Sequence, residues 1–141
     1  WFRAQAPAAV ARWIDDFSVS VIAEESLAAA AACRDDYQRA AVAAWPIRAL
    51  VERGCLREAS EAFAKARQVA LLAEPAGSRA EALLLLLQGA WSLGARWREQ
   101  VVSDLFELQA ASGHWRAARN LVDALAMMST VDRRAAEQFF F

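Results

Sequence analysis

His114 is the only histidine in this 141-residue sequence, so any histidine-dependent acid–base or nucleophilic chemistry must use it. It follows Gly113 at the expected start of a helix, where an imidazole caps the first turn or faces water. Paired acids stand at Asp15-Asp16, Glu24-Glu25 and Asp35-Asp36. Neighbours on a helix point in different directions, so these pairs do not converge as catalytic carboxylates would. Glu24, Glu25, Asp35 and Asp36 are instead expected near helix N-termini, where the helix dipole stabilises negative charge. Two carboxylates meeting across helices would be a property of the fold rather than of spacing.

Cys33 and Cys55 are widely separated and sit beside apolar residues. They read as small buried hydrophobes, with a disulfide or redox pair as the other reading. Two cysteines and one histidine cannot complete a structural zinc site without carboxylates. The phosphate-cradling G-x-x-x-x-G-K-[ST] loop, G-x-G-x-x-G, H-E-x-x-H and G-x-S-x-G are all absent. The expectation is therefore no catalysis, no cofactor and no bound metal.

The residues able to do something else are aromatic and cationic. Six tryptophans are many for this length. Core packing between helices accounts for most of them. One or two lining a groove would suit recognition, because tryptophan and arginine dominate binding hot spots.

These side chains need elements to position them, and the composition points to helices. Alanine, the best helix former, makes up about a quarter of the residues. Thr130 and Tyr37 are the only residues of their types, and no strand-like alternation occurs. Hydrophobic residues at 57% and charged ones at 23% describe a globular chain, and its length suits one domain over 1–141. A net charge of −1 excludes a global field favouring nucleic acid or an anionic membrane. The longest apolar runs, Ser26–Cys33 and Ala82–Leu87, are far too short to span a bilayer. With no export signal visible, the expected location is the cytoplasm. The bias to arginine and alanine hints at a GC-rich bacterial genome.

Punctuation divides the chain into eight helices. The first runs from Pro7, a first-turn proline, to Asp16 or Phe17. Ser18 and Ser20 fall in a break before Val21–Cys33. A third helix spans Asp36–Arg53, with a kink expected at Trp45-Pro46. Gly54 closes it. The fourth runs from Leu56 to about Ala73. Ser78 and Glu81 form a capping box for the fifth, which continues through Trp91 to Gly94. The sixth covers Trp97–Ala111, the seventh His114–Met128 and the eighth Val131 to about Phe140. Connections this short force antiparallel pairs.

Around Gly54 the spacing becomes specific. Gly54 makes a turn, and Ala59, Phe63 and Ala66 line one face of the next helix. A turn glycine, small residues for close helix approach and an aromatic to fill the groove resemble the tetratricopeptide repeat. Gly94 and Ser129 align as second and third turns, with Glu99 where the family has alanine. Spacings of about 40 and 35 residues between these turns also suit HEAT-type repeats. The resemblance implies an all-α fold of antiparallel helix pairs stacked as a short right-handed superhelix.

It also implies a function, a protein- or peptide-binding scaffold whose concave face is built from the first helix of each pair. That face would carry Arg48 and Glu52, then Glu81, Gln88 and Trp91, then Arg116, Arg119 and Asp123. Mixed charge with one aromatic suits a peptide or a carboxylate-bearing tail. The apolar ends, Trp1-Phe2 and Phe139-Phe140-Phe141, suggest self-association, or a structural role in a larger protein, as a second function. The tryptophan excess suggests a third, small-molecule binding between helix pairs. Nucleic acid and membrane are not expected partners.

Overall fold

A computed structural model of the chain describes residues 2–13, 16–131 and 137. Seven α-helices follow one another among these residues: α1 (Phe2–Ala11), α2 (Asp16–Ala31), α3 (Asp36–Glu52), α4 (Leu56–Leu72), α5 (Ala76–Gly89), α6 (Ala95–Ser112) and α7 (Trp115–Ser129). A 3-10 turn, Trp91–Leu93, joins α5 to α6. The described residues contain no strand. None of their helices is long and apolar enough to cross a membrane. The eighth predicted helix lies outside the described residues apart from its first residue, Val131, and Glu137.

Several helix ends follow from local chemistry. Asp35 caps α3 by accepting the Gln38 N–H at 2.8 Å. At the other end Gly54 takes φ +77°, open to glycine without a Cβ penalty. Its N–H donates to the Val51 carbonyl at 3.1 Å and that of Cys55 to Leu50 at 2.9 Å. Together these bonds form a Schellman motif that satisfies the last carbonyls of α3. His114 caps α7, its Nδ1 accepting the Arg116 N–H at 3.1 Å.

Other boundaries differ from expectation. Pro7 lies inside α1, not in its first turn. Helix α2 begins at Asp16, so Ser18 and Ser20 are helical rather than part of a break. Glu24 and Glu25 consequently stand mid-helix, away from the dipole's positive end. Ser78 does not cap α5. The Pro75 carbonyl already accepts the N–H groups of Ser78 and Arg79, at 2.8 and 3.1 Å, so the first turn forms before the serine is reached. Helix α3, by contrast, has the expected span, running from Asp36 through Trp45-Pro46 to Glu52.

The odd-numbered helices pack in series, α1 on α3, α3 on α5 and α5 on α7. Each even helix packs on its odd neighbours in sequence. The core between these layers centres on Ile47, Phe63, Leu83, Leu86, Val102 and Leu105, all fully buried. Apolar burial of this kind is the main stabilising term. In the odd layer, small residues bring backbones together. A Cβ added to Gly89 of α5 would stand 2.6 Å from the Ala44 carbonyl oxygen of α3.

The even layer is less uniform. Between α4 and α6, Phe63 and Trp97 meet edge to face with ring centroids 5.2 Å apart. One turn further along α4, Arg67 forms a bidentate ion pair with Asp104 of α6. Between α2 and α4 the contact is confined to one end, where Val19, Ala23, Leu50 and Ala59 form a small separate cluster. Beyond that cluster the two helices leave a gap.

Candidate functional site

The gap is a trough of about 580 Å³ with α2 and α4 as walls and α3 as floor. Its residues are mostly small. Ala23 and Ala30 of α2, Ala43 of α3, and Ala62 and Ala66 of α4 all line it and are nearly or fully buried. Alanine satisfies helix propensity on every face but fills little space between helices. Where α4 meets α6, Phe63 and Trp97 fill the interval. Where α2 faces α4, alanines leave it open. Leu27, Leu50 and Val69 add larger apolar surface.

Both walls run from Ser20 to Ala31 and from Glu58 to Val69, about 16 Å at 1.5 Å per residue, or three helical turns. Short connections make α2 and α3 antiparallel, and α3 and α4 likewise, so α2 and α4 run in the same direction. The Val19–Ala23–Ala59 contact places their N-terminal halves together. Polar groups occupy the rim. Glu58 and Glu61 lie toward the N-terminal end of the α4 wall, Glu24 and Lys65 near the middle of their walls, and Arg39 toward the opposite end. Arg39 is committed there, its guanidinium bonded to Asp36 and to the Cys33 carbonyl, both at 3.0 Å. Arg57 lies 3.2 Å from Glu58 and 3.8 Å from Glu61 on the exposed flank of α4. Lys65, the only lysine, has no ion pair among the described residues.

The residues singled out from sequence divide into several groups. Arg48 and Gln88 are brought together, on α3 and α5, around the exposed face of Trp45. The depression they share is about 100 Å³, smaller than the trough by several-fold. Glu52 is held by Arg48 at 2.8 Å and by both nitrogens of an Arg12 fork. Burial pushes its carboxyl up, but the hydrogen bonds and charges of the two arginines outweigh this and hold it below its ordinary value. Glu81 of α5 lies near the hydroxyl of Tyr37 on α3 and acts on its titration. Burial, and then Glu81 with a smaller effect of Asp35, raise the Tyr37 hydroxyl above 10.0.

Trp91 is half-buried against the core, covered by Arg98 at 5.1 Å from its ring centroid. Arg116 and Arg119 lie 5.4 and 5.6 Å from the ring of Trp115, which is itself 62% exposed. Asp123 is exposed further along α7. The eight positions thus fall on three successively packed helices and the turn after α5, yet only Arg48 and Gln88 line one depression.

The tryptophans also divide. Trp91 and Trp97 pack on the core, whereas Trp13, Trp45 and Trp115 are exposed. None lines the trough. Cys33 and Cys55 are half-buried free thiols, not a disulfide. Among the described residues, no three His, Cys, Asp or Glu side chains gather as a metal site requires.

Sequence reasoning passed over the trough. Its signal was the apolar run Ser26–Cys33, which holds more apolar residues than one packing face of α2 can use. Leu27, Ala28 and Ala31 of that run face the opening. Comparison with family models, curated proteins and solved structures gives no match for this chain.

Proposed function

We propose that this chain is a non-catalytic protein-interaction scaffold of the helical-repeat type, and that it takes an amphipathic helix of a partner protein into the trough between α2 and α4. The observation carrying this reading is the trough itself, three turns long, apolar in its depth and polar at its rim. A helix laid in a groove needs an extended apolar floor with backbone-permitting small residues, and alanines supply it. A small-molecule site of similar volume would instead gather polar groups at depth to orient its ligand. Here the polar side chains stand at the rim.

The tetratricopeptide-like arrangement belongs to the same proposal. The Schellman turn at Gly54 and the serial packing of the odd helices support it. The resemblance by itself would direct a partner to the odd-helix face, around Arg48 and Gln88. The depression there is too small for a helix, so the trough is the stronger site.

The test uses a synthetic amphipathic peptide of about five turns, leucine and alanine on one face and glutamine elsewhere. Its binding is followed by fluorescence anisotropy against the natural chain and against Ala28→Trp. Ala28 is an exposed alanine of the trough wall, so the indole fills the opening without entering the core. Binding to the natural chain, weakened at least about tenfold by Ala28→Trp with unfolding unchanged, is the expected result. Equal binding to both chains, or none to either, overturns the reading. Concentration-dependent self-association abolished by Ala28→Trp would place a second copy in the trough and also overturn it.

A further inference from the structure

Helix α7 packs on α5 and α6 with one face and leaves the opposite face uncovered among the described residues. Trp115, Val122 and Ala126 are exposed there, within about 40° of one another around the helix. Trp115 and Val122 are each 62% exposed. Three charged residues, Arg116, Arg119 and Asp123, share one flank of this stripe. None of them forms an ion pair among the described residues. Arg119 stands one turn from Asp123, yet both guanidiniums rest against the Trp115 ring instead, 5.4 and 5.6 Å from its centroid.

We infer that this face of α7 is a contact between two copies of the chain, packed antiparallel about a two-fold axis midway between Trp115 and Ala126. The stripe is self-complementary in that arrangement. Trp115 of each copy sits over Ala126 of the other, a large ring on a small side chain. A two-fold axis that reverses a helix keeps each flank on its own side. Asp123 of one copy therefore faces Arg116 and Arg119 of the other, and the symmetry makes every contact twice. A parallel pair would set Trp115 against Trp115 and Arg119 against Arg119, which size and charge both oppose. The 15 residues of α7 span about 22 Å, less than a standard interface needs. The dimer is accordingly weak, with a dissociation constant on the order of 10–100 µM. The contact lies on a different helix from the trough and is independent of it.

Sedimentation equilibrium of the natural chain from about 1 µM to about 1 mM tests this, and a monomer–dimer equilibrium is expected. Asp123→Arg and Arg119→Asp, each alone, bring like charges together across the axis. Each should weaken dimerisation at least about tenfold at low salt. An equimolar mixture of the two variants should dimerise as well as the natural chain, because a mixed pair regains both opposite-charge contacts. Recovery in the mixture also shows that both variants are folded. Trp115→Ala, which changes no charge, should weaken the dimer as well. Ala28→Trp, on the trough wall, should leave it unchanged. A monomer throughout would give this face to another occupant and overturn the inference. Dimerisation indifferent to both charge changes, no recovery in the mixture, or loss with Ala28→Trp would overturn it equally.

Discussion

Arg67 of α4 and Asp104 of α6 face each other through two parallel hydrogen bonds of 2.6 Å, their side chains 15% and 10% exposed. The fork-to-carboxylate geometry fixes both rotamers and, with Phe63 against Trp97, closes the interval between these helices. The equivalent interval between α2 and α4 has neither device. The difference between a closed and an open interval in one layer is what gives the molecule its trough.

Removing one partner of this pair leaves a mostly buried charge without its counter-ion. Arg67→Ala and Asp104→Ala should each destabilise the fold by about 2–4 kcal/mol. The double variant should cost clearly less than the two singles together, by about 1 kcal/mol or more, because the orphaned charge is gone. Urea unfolding of the four chains measures this coupling. Additive losses would mean that the pair is not coupled.

Gly89→Ala should destabilise, against the helix-propensity rule. In an exposed helix interior alanine is better than glycine by about 1 kcal/mol. Here the new methyl would meet the backbone oxygen of Ala44 at 2.6 Å, so α3 and α5 must separate. A loss of about 1–3 kcal/mol is expected by thermal unfolding. Gly77→Ala is the comparison, because its nearest atoms are side-chain atoms of Arg116 and of the His114 ring, so the methyl costs at most the α7 cap and leaves the helix backbones in place. It should cost clearly less.

Tyr37 should give the fold an alkaline limit. Its hydroxyl titrates above 10.0 in the folded chain. A group whose folded pKa is raised contributes stability that is fully present below the unfolded value and is lost as pH rises through the folded one. Stability should therefore fall from about pH 10 upward, and Tyr37→Phe should reduce that fall. Because Tyr37 is the only tyrosine, phenolate absorbance reports its titration directly. A midpoint at or below 10.0 would show that Glu81 and burial do not act on it.

Much of the architecture is written in local sequence signals. The Gly54 turn, the helices on either side of it and the cap at His114 depend on chemistry within a few residues, and such signals are local. Ser78 misled because a serine caps only where the chain leaves helical geometry, and neighbouring groups decide that first. The charged candidates were legible as exposed side chains but not as a group. Whether Glu52 meets Arg12 or Tyr37 meets Glu81 depends on which helices pack side by side. The trough was hidden for a related reason. An alanine reads the same whether a neighbour covers it or a void adjoins it, so only the length of the apolar run Ser26–Cys33, and no single residue within it, pointed to an opening.

We place the proposed partner contact at the α2–α4 trough. It is tested most directly by placing a photo-reactive amino acid singly at Ala28, at Gln88 and at Val122 in the native host, then sequencing the cross-linked segments. Adducts are expected from Ala28 to an apolar-faced helical segment of another protein, and few to another protein from Gln88 or Val122. Adducts concentrated at Gln88, with none at Ala28, would move the interface to the odd-helix face and contradict it.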